Sequence, residues 1–436
     1  MSKRNVRVFK FNIFYIFDTE RQIKFITKAG NNAMDSQKIV IAFPFTGGEL
    51  GGSHISATGL ICGLDRDKFK PIIILHKKGL ILEEYLRKVG LPFMLAPDVS
   101  ILSADSDLGF AASVANGLSL VRTTATLAPF LRRHRVDIVH TNDGRMHATW
   151  ALAARLSGAK LLWHHRGDPM ARGVNIVAPL LANHIVTVSH FVRPAKPIVP
   201  VTHKITVLHS PFDHPSGLPD RDACRRKFVE ELGLRPDTRF VGYVGGLIER
   251  KRPVKFVEAV HAFLQHHPEF PLAGLLFGSN AANGPDLDGA VKCRAKELGI
   301  SDRIHLMGFR TPIAPCMGAL DALLVTAVNE PFGRTLIEAM LLQTPVVATN
   351  HGGNPEAIDD GLTGYLVKAE CPEAFVGPLE RLLFDRHQWE TISSTALENA
   401  RARYGNKAHI EGISRLYETL VPRQSPAMHG QLVSRH

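Results

Sequence analysis

Residues 321–340 read DALLVTAVNEPFGRTLIEAM. Asp321 to Ala327 form a short apolar run of the kind that becomes a strand buried on both faces. Pro331 suits a turn, and from Thr335 onward Leu336, Ile337 and Met340 fall at helical core spacing. Strand, polar loop and helix in this order make one unit of a parallel α/β fold. The loop carries Glu330, and the helix carries Glu338 eight positions on, with Phe332, Gly333, Arg334 and Thr335 between them. Gly333 is expected to let a ligand approach the backbone closely. The amides opening the helix near Gly333, Arg334 and Thr335 would face an anion, assisted by the helix dipole. A carboxylate repels such an anion, so the two glutamates read as acceptors for hydroxyls beside it rather than as an acid/base pair. No His, Asp or further Glu lies close in sequence, which argues against a metal here.

Outward from this unit the rhythm repeats. RFVGYVGG (239–246), LAGLLFG (272–278), RIHLMG (303–308) and TPVVATN (344–350) are predicted strands, mostly followed by helical stretches. In the first half KIVIAFPF (38–45), PIIIL (71–75), DIVH (137–140), AKLLWHH (159–165) and HIVTVS (184–189) behave alike. Such alternation implies parallel sheets with right-handed crossovers. TVLHSPFDHPSGLPD (206–220), rich in Pro, Ser, Gly and Asp, is the expected linker. At 436 residues the chain exceeds what one core organises, so two domains are expected. The fold class is therefore α/β, with two doubly wound parallel sheets in tandem. Ligands bind beyond the carboxyl ends of such strands, here between the domains.

Four further motifs sit at strand ends. TGGELGG (46–52) precedes a helix whose expected N-cap is Ser53 and whose apolar stripe is Ala57, Leu60, Ile61 and Leu64. Its glycines (Gly47, Gly48, Gly51, Gly52) suit a phosphate-binding turn or merely a tight one. They do not form the dinucleotide fingerprint, and the next strand ends in LHKKG without an acid to hold a ribose, which counts against a nicotinamide-dependent enzyme. VGGLIERKRP (244–253) places Arg250, Lys251 and Arg252 where a diphosphate would lie, although a charge run also suits a solvated surface. LLWHHRGD (161–168) brings His164 and His165 to a strand end, and only one of them can face the cleft. In NHGGNPEAIDD (350–360), Asn354 reads as an N-cap followed by Pro355 and Glu356, while Gly352-Gly353 suggests that something approaches the backbone. Asp105 and Asp107 form a carboxylate pair in a polar turn, but no supporting ligand is near and a metal is not expected there.

Composition narrows the class. Hydrophobic residues at 45%, charged residues at 21% and a mean hydropathy of −0.00 describe a globular chain with a large core, not a disordered one. Lys+Arg 52 against Asp+Glu 41 leaves +11, which favours anionic partners or simple solubility. Nucleic acid is not favoured, because basic and aromatic residues do not interleave in the folded part. The five scattered cysteines suit a reducing, cytoplasmic compartment and offer no zinc site. Residues 1–37 are basic and aromatic but lack a signal-peptide pattern. They read either as a segment lying on a membrane or as residues preceding a start at Met34.

The stretch NEPFGRTLIEAMLLQTPVVATNHGGNPEAIDDGLTGYLV (329–367) resembles the retaining glycosyltransferases of family 4, which have the GT-B fold. The glutamate pair, EAM, PVVAT, GG with Glu356, and GLTG occur in family order. GGELGGSH, DIVHTN, HIVTVS and VLHSPFD extend the likeness to about residues 40–420. The resemblance implies two Rossmann-like domains facing across a cleft, with a nucleoside diphosphate sugar held mainly by the second. Glu338 would hold the ribose and Glu330 would lie near the donor sugar. The Phe332–Thr335 backbone and Lys251, helped by Arg250, would hold the diphosphate, with Gly51 and Gly52 near phosphates or acceptor. His164 is the favoured counterpart of the family's first-domain histidine and His165 the alternative. No resident cofactor and no metal are implied. Gly246 departs from the pattern, standing where the family often has a phosphate-binding arginine.

The expected activity is transfer of a hexosyl group from a nucleotide-sugar donor to a glycan or lipid-linked acceptor in cell-surface polysaccharide synthesis. Such an enzyme would sit in the cytoplasm, with peripheral contact to an anionic inner membrane face. A sugar-nucleotide epimerase or hydrolase, or a non-catalytic nucleotide-sugar-binding protein, is the alternative. The expected division is an extension over 1–37, a first domain over 38–213, a second over 214–395, and a helix in 396–436 that packs back on the first domain before a tail.

Overall fold

The computed structural model describes residues 38–102, 110–212, 217–281 and 284–422. The extension with Met34, the Asp105/Asp107 pair, the boundary at 213/214 and the tail beyond 422 lie outside the described residues.

The first domain is built on seven strands: β1 (Ile39–Phe45), β2 (Phe69–Leu75), β3 (Phe93–Leu95), β4 (Ile138–Thr141), β5 (Lys160–His165), β6 (His184–Thr187) and β7 (Ile205–Val207). All pair in parallel, in the order β3-β2-β1-β4-β5-β6-β7. Its helices are α1 (Gly52–Gly63), α2 (Ile81–Lys88), α3 (Phe110–Arg133), α4 (Gly144–Ser157) and the short α5 (Ala178–Leu181). The second domain has six parallel strands: β8 (Arg239–Val244), β9 (Leu272–Phe277), β10 (Ile304–Gly308), β11 (Ala322–Val325), β12 (Val346–Thr349) and β13 (Tyr365–Val367), ordered β10-β9-β8-β11-β12-β13. Around them run α6 (Arg221–Leu232), α7 (Pro253–His266), α8 (Leu287–Glu297), α9 (Ala314–Gly318), α10 (Arg334–Leu341), α11 (Val376–Phe384) and α12 (Arg386–Arg403), and the chain closes with α13 (Asn406–Leu420). These are two doubly wound, Rossmann-like domains, the architecture expected from the sequence.

Both faces of each sheet are covered, which is why the strands read as continuous apolar runs rather than alternating ones. In the first domain Leu127, Trp150 and Ala178 cover one face, while Leu60, Leu82 and Tyr417 cover the other. In the second, Phe256, Val291 and Leu379 lie opposite Phe228, Leu336 and Met340. Asp321, the first residue of the opening stretch, is buried and fully engaged. It receives Arg221 (3.0 Å), Arg225 (2.8 Å) and the Phe240 amide (2.7 Å), and so fastens α6 to the sheet. A buried carboxylate paired this completely is costly to break from either side.

Several local expectations are corrected. The linker begins later than residue 206, because Ile205–Val207 form β7. Helix α1 is capped by Gly51, not Ser53: the Gly51 amide donates to His54 Nδ1 (3.2 Å), and Ser53 lies within the first turn. Asn354 is not an N-cap either. It is buried, donates to Thr349 O (3.1 Å), and opens only a single 3-10 turn, Asn354–Glu356. Helix α12 still packs on α10 in the second domain, so the return to the first domain starts at Asn406 rather than near 396.

Helix α13 docks on α1 so closely that a Cβ at Gly63 would lie 2.2 Å from Ile410 Cδ1. Beneath it lies a column of buried histidines. His140 Nε2 meets His164 Nδ1 at 3.1 Å, His140 Nδ1 meets the Tyr417 hydroxyl at 2.5 Å, and the rings of His164 and His409 stack with centroids 5.9 Å apart. Burial holds all three imidazoles neutral, with Arg166 adding to the effect, and lowers His409 to about 3. The unfolded chain takes up these protons near pH 6.5 and the folded chain does not, so stability is full above that pH and declines below it. The melting temperature is therefore expected to fall between about pH 7.5 and 5. His409→Gln should flatten that slope by up to about 1.4 kcal/mol per pH unit. Calorimetric melts across the range check this, and a wild-type melting temperature independent of pH would contradict it.

Candidate active site

The carboxyl ends of both sheets open onto one cleft of about 1110 Å³. Thr46, Gly52 and Ser53 enter it after β1, Asn142 to Arg145 after β4, and Arg166 to Asp168 after β5. Across from them stand Arg250 and Lys251 after β8, and Glu330, Phe332, Arg334 and Thr335 after β11. This is where doubly wound sheets bind ligands.

Of the residues singled out from the sequence, Gly52, Arg250, Lys251, Glu330, Phe332, Arg334 and Thr335 line the cleft, while Gly51, His164, Gly333 and Glu338 do not. Gly51 lies just beyond the wall as the α1 cap. Gly333 caps α10 with an ordinary φ of −66°. A side chain there would press on Asn354 Oδ1 (3.2 Å) and Leu336 Cβ (3.3 Å), so packing rather than access for a ligand calls for glycine. Glu338, one turn into α10, pairs with Arg334 at 3.3 Å.

The histidine expectation is also corrected. Strand alternation turns His164 inward onto His140 and His409, and His165 lines the cleft. His165 Nε2 donates to the Asp168 carbonyl (3.0 Å), which leaves Nδ1 as the acceptor in the neutral ring. Burial lowers its pKa to about 4, so it stays neutral near pH 7.

Glu330 is nearly buried and is not a free hydroxyl acceptor here. It forms ion pairs with Arg250 and, at 3.7 Å, with Lys251 Nζ. Its loop is rigidly seated. Gly352, at φ +64°, packs so tightly that a Cβ would come within 2.8 Å of the Glu330 nitrogen, and one on Gly353 would lie 2.5 Å from Pro331 O. What approaches the Gly352-Gly353 backbone is therefore the Glu330 loop itself. Gly245, at φ +145°, makes room for Lys251, whose Nζ would lie 2.9 Å from a Cβ at that position. Near Gly246, Arg250 is the arginine that faces the cleft, whereas Arg252 is tied to Glu370 at 2.6 Å.

Arg166 was not singled out from the sequence. Its neighbours His164 and His165 drew the attention in HHRG, although a cation at a strand end was equally visible there. The guanidinium donates to Ser210 Oγ (3.0 Å), Nε has no partner, and among the described residues it makes no ion pair. Burial, with a contribution from Arg334 across the cleft, lowers its pKa to about 9, so it remains charged at pH 7. Two guanidiniums lining one cleft, Arg166 without an ion pair among the described residues, can together attract an anion.

Two Rossmann-like domains meeting over a cationic cleft define a GT-B-type fold, and comparison with solved structures agrees. Anabaena HepE in complex with UDP and glucose superposes with a TM-score of 0.71 at 20% identity, over 87% of this chain and 100% of that one. Sucrose-phosphate synthase from Thermosynechococcus elongatus superposes with a TM-score of 0.63 at 18% identity, over 88% and 99%. Residues 225–408 match the family model described as Glycosyl transferases group 1. The D-inositol 3-phosphate glycosyltransferase of Corynebacterium jeikeium is 34% identical over 207 residues, which are 47% of this chain and 49% of that protein. Its namesake from Nocardia farcinica is 33% identical over 183 residues, 42% and 40% of the two chains. This chain thus spans about half the length of the curated relatives it matches.

Arg166→Leu is expected to weaken binding of inorganic pyrophosphate roughly tenfold or more, the value of one desolvated charge-assisted contact. Arg252→Ala, outside the cleft, should leave binding unchanged. Titration calorimetry on both variants checks this, and equal affinities would remove Arg166 from the anion seat.

Proposed function

We propose that this protein is a retaining glycosyltransferase that moves a sugar from a nucleoside diphosphate sugar to a hydroxyl of its acceptor. The observation that carries the reading is the convergence of Arg166, Arg250, Lys251 and Arg334 from both domains on one cleft beside Glu330. Family 4 membership, a glycan or lipid-linked acceptor and the individual residue roles belong to this proposal.

In the reaction the bond from the anomeric carbon to the diphosphate oxygen breaks and a bond to the acceptor oxygen forms on the same face. The acceptor proton passes to the departing diphosphate. The cations stabilise charge that grows on the leaving oxygen, and they are already held in position when it appears. On ligand entry Arg250 and Lys251 exchange part of their contact with Glu330 for the diphosphate, which frees that carboxylate to accept from the donor sugar's hydroxyls. Glu338 accepts from the ribose after a corresponding rearrangement of its pair with Arg334. Neutral His165 orients the sugar through Nδ1 and does not act as the base. HepE bound with UDP and UDP-glucose, and relatives named for inositol 3-phosphate, make UDP-sugars and a phosphorylated polyol the first donor and acceptor to test.

The full chain is incubated with a panel of nucleotide sugars, with and without acceptors, and product mass and anomeric configuration are read. Acceptor-dependent release of nucleotide and a retained anomer are expected, and Glu330→Gln should lower kcat about a hundredfold. Donor consumed equally well without acceptor, giving epimer or free sugar, would instead identify an epimerase or hydrolase. Donor binding without turnover would identify a binding protein.

A further inference from the structure

The first-domain edge beside the cleft mouth has a composition that the sugar chemistry does not use. From Pro169 to Phe212 the sequence contains no Asp or Glu, yet it carries Arg172, Arg193, Lys196 and Lys204. Lys204 is committed internally, donating to the carbonyls of Pro179 and Ala182 at 2.8 Å each. Arg172, Arg193 and Lys196 are exposed. The same segment exposes Met170 (51%), Ile176 (37%), Leu180 (58%), Ile198 (52%) and Val199 (39%). These are five of the fourteen large apolar side chains exposed among the described residues, gathered within 30 residues of sequence.

The patch is one surface because buried Asn175 rivets its two halves together. Asn175 Nδ2 donates to Pro169 O (2.7 Å), the Lys196 amide donates to Asn175 Oδ1 (2.7 Å), and the Ile198 amide donates to Asn175 O (2.9 Å). Ile176, in the π-helical turn Gly173–Val177, and Leu180, in α5, sit on one continuous helical stretch. Two carboxylates from outside the segment touch it, and both are engaged by its backbone amides: Asp168 accepts from Met170 (2.8 Å), and Glu356 reaches over from the second domain to His190 and Phe191. Arg172, Gly173 and Val174 of this segment also line the cleft.

We propose that this lip, residues 169–200, is the surface by which the protein docks on an anionic lipid bilayer. Exposed aliphatic side chains and the cations Arg172, Arg193 and Lys196, on a segment with no acidic residue of its own, match an interface of anionic headgroups over acyl chains. A second copy is a poor occupant, since a two-fold contact through this surface would bring its cations together with the same set on the other copy. Nucleic acid is a poor one too, because Met, Ile, Leu and Val offer no ring on which bases stack. No helix among the described residues is long and apolar enough to cross a membrane. Docking here brings the cleft mouth to the headgroup plane, where a lipid-linked acceptor reaches the site without leaving the bilayer. That last step rests on the transferase reading, whereas the docking does not.

The test is co-sedimentation of the full chain with vesicles of phosphatidylcholine alone or containing about a third phosphatidylglycerol. No sugar is present, so failure of the transferase reading leaves the result intact. Binding is expected only to the anionic vesicles and should weaken with salt. Arg193→Glu with Lys196→Glu, and separately Ile176→Asp with Ile198→Asp, should each lower it roughly tenfold or more, at about fivefold per charge. Leu118→Asp with Val121→Asp, on α3, should leave it unchanged. Melting curves confirm that each variant folds, and Ile198→Ser with Val199→Ser replaces the aspartate pair if that pair does not. Absence of binding to anionic vesicles would overturn the proposal, as would undiminished binding by both lip variants. A concentration-dependent dimer that the lip variants disperse would overturn it in favour of self-association.

Discussion

The guanidinium of Arg334 is the contact on which the arrangement of the two domains depends. It leaves the first turn of α10 in the second domain and crosses to the first, where it donates to Ser56 Oγ (3.1 Å) and Pro211 O (3.4 Å) and lies 4.5 Å from the centre of the Phe212 ring. It passes so close to α1 that a Cβ at Gly52 would fall 2.6 Å from Arg334 Cδ. The Gly-rich turn after β1 therefore serves an arginine of the opposite domain as well as the cleft it lines. Arg334 thus brings the N-terminal ends of α1 and α10 to the same point, and two helix starts with a guanidinium between them concentrate positive potential there.

Around that contact the domain junction is aromatic. His209 stacks on Phe332 with centroids 4.6 Å apart, and Tyr404 packs edge-on to both. The Phe212 amide donates to Tyr404 O (2.9 Å), so the two strands of chain that pass between the domains are hydrogen-bonded to each other. Phe332, which the family resemblance would set beside a diphosphate, packs in the hinge, so any rotation of the second domain carries the Glu330–Thr335 loop with it. Helix α13, anchored on the first domain through Tyr417 and Ile413, closes the circuit.

Much of this could be read from the chain because buried parallel strands announce themselves as apolar runs, and KIVIAFPF and DALLVTA needed no tertiary information. Three strands escaped that test: Phe93–Leu95, Ile205–Val207 and Tyr365–Val367. Each is three residues long and lies at a sheet edge, pairing on one side only, so it is assigned by its neighbour rather than by its own composition. The site divides in the same way. Residues on loops after predicted strands (Arg250, Lys251, Glu330, Arg334) arrived where the sequence put them, because a strand's carboxyl end fixes its loop. Choosing between His164 and His165 required knowing which sheet face turns toward the cleft, and periodicity gives the alternation but not its phase. Arg166 was hidden for a related reason. That it lacks a counter-ion is a fact about three-dimensional neighbours, and no local pattern encodes it.

The charges then form a consistent scheme. The second domain's cations are paired within that domain, with Arg250 and Lys251 on Glu330 and Arg334 on Glu338. The first domain supplies Arg166 without such a partner, and its depressed pKa records how poorly it is solvated. On the proposed reading, an incoming diphosphate would meet no existing ion pair at Arg166, although more of the cations stand on the second domain. A ligand held by the second domain alone leaves Arg166 uncompensated, while one that also reaches Arg166 relieves the repulsion between Arg166 and Arg334. On the same reading, a ligand that spans Arg166 and Arg334 would bind best with the two domains together as they stand here, so anion binding would favour this arrangement.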